Sequence, residues 1–232
     1  MDIILKSARA AASQLFAPEF RSVLWKSLGL TVLLLLVAWI ALEAVISTFL
    51  MPFLGPWPWV ATAIVWLMGA GMIVGAIFLV APVSAMFAGI FLDDVAQAVE
   101  ERDYPDDQPG SPMAILPGIW LAAKFTLVVA AANIVALLLV LLPGINFAIF
   151  FFVNGYLLGR EYFQFAAQRF RSEGEADTMR RQHGGTIFMA GLIIAGFMAV
   201  PILNLATPVF AAVLMVHLHK GISRNDARAL AA

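Results

Sequence analysis

Leu139–Glu161 reads LVLLPGINFAIFFFVNGYLLGRE, an apolar run broken at its middle by Pro143-Gly144. The chain is mostly apolar from Phe125 to Leu142 and again from Ile145 to Leu158. A spanning helix needs about 20 consecutive apolar residues, and each arm is shorter than that. Proline lacks the amide donor and clashes with the preceding turn, while glycine permits a tight reversal, so the pair predicts a bend. The expectation is a re-entrant helical hairpin that enters and leaves the membrane on one side.

The break recurs in Ile187–His217, where Pro201 separates two further short apolar arms. Pro143-Gly-Ile-Asn146 aligns with Pro201-Ile-Leu-Asn204. Corresponding interrupted segments in two parts of a membrane chain point to a transport site, because irregular backbone at membrane depth must be buried or line a watery cavity. Two ordinary kinked helices are the alternative.

Composition sets the class. The 232 residues are 62% hydrophobic and only 12% charged, with mean hydropathy +0.91, which predicts an integral membrane protein. A net charge of −1 gives no footing for a nucleic-acid partner. Without cysteine there is no disulfide, thiolate chemistry or cysteine metal site. No P-loop, H-E-x-x-H or G-x-S-x-G motif occurs, and His217 and His219, two apart on a helix, do not share a face. Neither enzyme activity nor a cofactor or metal is expected.

Outward from the first break, the fold class expected is all-α: two long transmembrane helices plus two proline-broken, hemi-penetrating hairpins in a single membrane domain, 1–232. Residues 1–27 are an amphipathic N-terminus with Ile4, Ala8, Ala11 and Leu15 on one face, lying in the membrane interface or docking on the protein. Residues 28–92 carry the two long helices. Leu28–Phe49 is long enough to span and holds Glu43, which is either an intramembrane functional carboxylate or one that reaches the nearby interface. The second helix opens at Trp57 and Trp59, has Pro82 as its expected kink, and carries Gly71-x-x-x-Gly75, read as a packing face within the chain.

Residues 93–124 hold an acidic, turn-rich loop, read as solvated, that leads into the first hairpin at 125–159. A polar helix projecting into water follows at 160–186, then the second hairpin at 187–218 and a tail at 219–232. In this topology every Lys and Arg lies on one side, since Met51–Pro58 contains none, and the positive-inside rule places both termini in the cytoplasm.

The chemistry left is electrostatic. Helices restarting at Ile145 and Ile202 would present free amides to an anion near mid-membrane, beside Asn146 and Asn204, which read equally as ligand donors or as helix caps. The hairpin tips Pro143, Gly144, Asn146, Pro201 and Asn204 are the candidate pore residues. Arg21, Arg160 and Arg169 are candidates for concentrating anions at the mouth. Alternatively, Arg160 pairs with a carboxylate such as Glu161.

Several motifs in order resemble the bacterial CysZ-type sulfate permeases and their eukaryotic relatives, the etoposide-induced endoplasmic-reticulum membrane proteins. They are Pro18–Ser22, Ala81-Pro82, Leu142-Pro143-Gly144-Ile145, Tyr156-Leu-Leu-Gly-Arg-Glu-Tyr-Phe163 and Val200-Pro-Ile-Leu-Asn-Leu205 before Pro208. The resemblance implies passive sulfate entry across the bacterial inner membrane for cysteine synthesis, and a homo-oligomer with protomers in opposed orientations. It also implies a sulfate-binding turn at the head of the first long helix, carried here by Pro18, Phe20, Arg21 and Ser22. Glu19 stands where the family has glycine, and Ser22 where it has a second arginine. A membrane scaffold protein using the same hairpins, or a channel for another anion or small metabolite, are the alternatives.

Overall fold

The structure, a computed structural model, describes residues 2–112 and 146–231, so the break at Pro143-Gly144 lies outside the described residues. Every regular element described is helical: α1 Asp2–Gln14, α2 Pro18–Val45, α3 Pro58–Ile90, α4 Leu92–Asp103, α5 Asn146–Gln168, α6 Glu173–Gln182, α7 Gly184–Met198, the single turn α8 Pro201–Asn204, and α9 Thr207–Ala231. The chain forms two compact units, Ser22–Ile90 and, together, Met1–Arg21 with Phe91–Ala232.

In the smaller unit, α2 runs into a π turn, Ile46–Leu50, and a 3₁₀ turn, Met51–Leu54, before α3 returns. Pro18–Leu54 and Pro58–Ala76 are long and apolar enough to cross a membrane. Leu33, Val37, Ile40, Trp66 and Leu67 are exposed, as side chains facing lipid must be. Among the described contacts a polar tie joins the two helices: the buried hydroxyls of Thr31 and Ser84 lie 3.0 Å apart, and Thr31 also donates to the Ser27 carbonyl. The 33 residues of α3 form one helix about 50 Å long that runs through Pro82. No described atom lies within 4 Å of a Cβ at Gly71 or Gly75, so among the described residues this pair does not mark the close approach that its spacing suggested.

The larger unit is built around α9. Every residue from Ala206 to Lys220 is buried, because a helix apolar on all sides can satisfy its surface only by being surrounded. Helices α1, α4, α5 and α7 pack on it. Helix α1 turns Ile4, Ser7, Ala11 and Gln14 inward, and Ile3 sits against Gly221 of α9. That face is therefore covered by protein, while Lys6 and Arg9 stay exposed.

Helix α7 reverses into α9 at Val200, whose extended backbone (φ −90°, ψ 116°) is what a residue preceding proline adopts. Phe197 stacks on Phe210 at 4.2 Å beside the reversal, and His183 lies 3.2 Å from Asp226 at the opposite end, so the two helices run antiparallel. Only a single turn, α8, follows Pro201, and the long helix restarts at Thr207 rather than at Ile202.

Glycines allow the tightest contact, between α5 and α7. A Cβ on Gly191 would lie 1.9 Å from the Gly155 carbonyl oxygen, and one on Gly159 2.7 Å from the Ile187 carbonyl oxygen. Gly155-x-x-x-Gly159 is thus the small-residue face that brings two backbones together.

The stretch 160–186 is not one projecting helix. Helix α5 continues through Arg160 and Glu161 to Gln168, and the chain breaks before α6 begins behind a capping box. There Ser172 accepts from the Glu175 amide at 3.4 Å, and the Glu175 carboxylate accepts from the Ser172 amide at 2.9 Å.

Candidate functional site

The first candidate turn opens α2. Pro18 at the helix start needs no amide donor, and Phe20 is buried at 1% exposure, which anchors the turn. Arg21 and Ser22 are exposed on the next positions, with Glu19 beside them. The Arg21 amide already donates to the Ala17 carbonyl at 2.9 Å, so the guanidinium is the part of Arg21 open to a ligand. Backbone, hydroxyl and guanidinium donors within one turn suit an oxyanion.

The hairpin-tip residues are only partly visible. Pro143 and Gly144 fall outside the described residues, Asn146 is the first residue of α5, Pro201 opens α8, and Asn204 closes it half-buried. The Asn204 amide donates to Val200. Arg160 and Glu161 are half-buried neighbours on α5.

Arg169 is not a mouth cation. Its side chain is 2% exposed and lies between two carboxylates: it donates Nε to Glu100 at 2.7 Å and Nη1 to Asp93. Glu100, expected on a solvated acidic face, is 5% exposed in its side chain. Its second oxygen accepts from the Gly110 amide at 2.8 Å, and the Ser111 amide donates to the Arg169 carbonyl at 2.8 Å. The acidic segment is therefore stitched down by a buried charge pair rather than left in water. No local pattern reveals this, because Arg169 lies 69 residues from Glu100.

A second polar layer ties the same segment to α9. Asp107 accepts from Lys220 at 3.2 Å and pairs with Arg224 at 3.4 Å. Burial alone would raise the Asp107 carboxyl, but the hydrogen bond and charge of Lys220, with Arg224, hold it below its usual value. Tyr104 meets His217 Nδ1 at 2.8 Å, and burial pushes its phenol up to about 12. Asp103 accepts from Gln14 at 2.8 Å and lies 3.5 Å from His217 Nε2, too poorly aligned for a hydrogen bond. His219 faces elsewhere, stacked on Phe170 with ring centres 5.1 Å apart. Among the described residues no cluster of three or more His, Asp or Glu side chains could hold a metal ion.

Among the described residues, the larger unit's buried cations, Arg169 and Lys220, are thus spent on structure, as is the Arg224 ion pair. The guanidinium at the head of α2 is left as the exposed donor group that sequence reading singled out. Two helices long and apolar enough to cross a membrane, with little of their apolar windows buried, among described residues whose regular elements are all helical, define an integral membrane protein. Within that class, the chain belongs to the family described as Sulfate transporter CysZ/Etoposide-induced protein 2.4, which matches residues 7–208. No curated protein matches the chain.

Proposed function

We propose that this protein is a sulfate permease of channel type in the bacterial inner membrane, passive and independent of ATP, supplying sulfate for cysteine synthesis. The observation that carries the reading is the family match over residues 7–208, which includes the exposed Arg21 turn, the first hairpin segment and the second as far as its Pro201–Asn204 tip. Arg21, with Ser22 and the first-turn amides of α2, receives the dianion, and Pro18 and Phe20 hold that turn in place. The tips Pro143–Asn146 and Pro201–Asn204 form the narrow part, where several weak contacts must bind and still release. Arg160 and Glu161 stand at its mouth. Both hairpins are re-entrant, the termini lie in the cytoplasm, and the working form is a homo-oligomer.

The test is uptake of labelled sulfate into proteoliposomes, with empty liposomes as background and excess phosphate or chloride as competitors. Saturable flux displaced by unlabelled sulfate is expected. Arg21→Ala should cut that flux about tenfold or more, since a charge-assisted contact to a dianion contributes about 1.5–3 kcal/mol. Absence of flux from folded, inserted protein overturns the permease reading and favours a membrane scaffold. Displacement by phosphate or chloride as effective as by sulfate assigns the channel to another anion.

A further inference from the structure

The transport reading leaves Glu43 unused, and Glu43 lines a cleft. Trp39 and Glu43 lie four apart on α2, so their side chains share one side of the helix, and Ser47 follows in the π turn. Met68 and Met72 of α3 and Met51 from the 3₁₀ turn, with Ile46, Val65 and Gly69, complete the lining of a space of about 490 Å³ inside the smaller unit. That volume lies in the range of small-molecule sites, roughly 300–1,000 Å³.

The lining selects its occupant by charge and softness. A carboxylate on a membrane helix calls for a counter-charge, and it repels anions, sulfate included. A hard metal cation needs several oxygen ligands, whereas the cleft offers one carboxylate and a serine hydroxyl already donating to the Ala44 carbonyl at 3.1 Å. Methionine thioethers and an indole instead suit a large, weakly hydrated cation: thioethers are polarisable and adaptable, and Trp is the best cation–π partner. We infer that the α2–α3 cleft binds a hydrophobic organic cation, with Glu43 as counter-ion and Trp39 as the aromatic face. Gly69 lies in the wall, and no described atom is within 4 Å of a Cβ there, so a larger residue would fill the cleft without displacing backbone.

The inference does not depend on sulfate transport, and its test does not read flux. Labelled tetraphenylphosphonium is equilibrated with the purified full-length protein in lipid nanodiscs, using empty nanodiscs to subtract partitioning. Saturable binding, competed by an aromatic quaternary ammonium ion, is expected. Glu43 itself is exposed, so Glu43→Gln should weaken binding by about threefold or more, the scale of an exposed cation losing its counter-charge. Gly69→Leu should abolish it while the thermal melt stays that of the parent, which separates cleft filling from unfolding. No saturable binding, or equal binding by the parent and Glu43→Gln, overturns the inference. So does a change in oligomer mass on Glu43→Gln without phosphonium binding, since the cleft would then be occupied by a second copy.

Discussion

Replacing Gly191 by alanine places a methyl group 1.9 Å from the Gly155 carbonyl oxygen and within 2.9 Å of the Gly155 carbonyl carbon and the Gly159 Cα. These are backbone atoms, so no rotamer change relieves the clash. Ordinary contact begins near 3.4 Å, which means that α5 and α7 must part by about 1.5 Å at this crossing. Overpacking in a well-packed core typically costs 1–3 kcal/mol. Here the upper end applies, because separation also loosens Phe152 against Phe188 and Leu192 against Gly155. At about 2–4 °C per kcal/mol for a chain of this size, the melting temperature of the purified protein should fall by roughly 10 °C. Gly196, five residues further along α7, is the internal control, because no described atom lies within 4 Å of a Cβ there. Gly196→Ala should melt at or slightly above the parent, since alanine is favoured over glycine in a helix by about 0.5–1 kcal/mol. Equal melting of the two variants by fluorescence-detected size exclusion would refute the claim that α5–α7 contact depends on missing side chains.

Three other perturbations separate the roles assigned above. Glu100→Gln leaves the Arg169 guanidinium buried with only Asp93 as carboxylate partner, and should lose about 3–5 kcal/mol of stability and expose the 104–111 segment to limited proteolysis. His219 is 2% exposed, and burial, with Arg171 and Lys220 nearby, holds its imidazole down at about 3 instead of 6.5. The unfolded chain therefore binds the proton first, so stability drains as pH falls below 6.5 and stops draining near 3, by about 1.4 kcal/mol per unit at most. His219→Phe keeps the stacking surface and should flatten that slope between pH 6.5 and 5, whereas an unchanged slope in denaturant titrations would remove His219 as its source. Asp107 behaves with the usual carboxylate sign: its pairing with Lys220 and Arg224 is fully stabilising above the unfolded value of 3.8 and is lost as pH falls through the lower folded value, so Asp107→Asn should cost most at neutral pH and progressively less below 3.8 in denaturant titrations.

Much of the fold was legible because its signals are local. The run of apolar residues from Leu28 onward predicts the α2 span, and Pro201 after Val200 predicts the reversal between α7 and α9. The polar stretch 160–186 misled because charge density resembles a solvated helix whether or not the chain breaks within it. The break was written in Ser172-x-x-Glu175, a capping box whose two side chains satisfy each other's amides. Gly71-x-x-x-Gly75 and Gly155-x-x-x-Gly159 have the same spacing, yet among the described residues only the second meets a facing glycine, Gly191, so spacing alone does not choose the interface. Of the candidate site, the Arg21 turn was legible as a motif. The disqualification of Arg169 was not, since its neutralising partners come from α4.

Hydropathy, proline breaks and the absence of cysteine and nucleotide motifs are properties of single residues and short windows. The sequence by itself therefore determined a membrane-embedded, all-helical chain without thiol or P-loop chemistry. Which cations are spent on structure, which face of α1 is covered, and where two backbones touch were decided only by tertiary structure. Ion pairing and steric fit depend on groups a few ångströms apart in space but up to 117 residues apart in the chain, as Arg224 and Asp107 are.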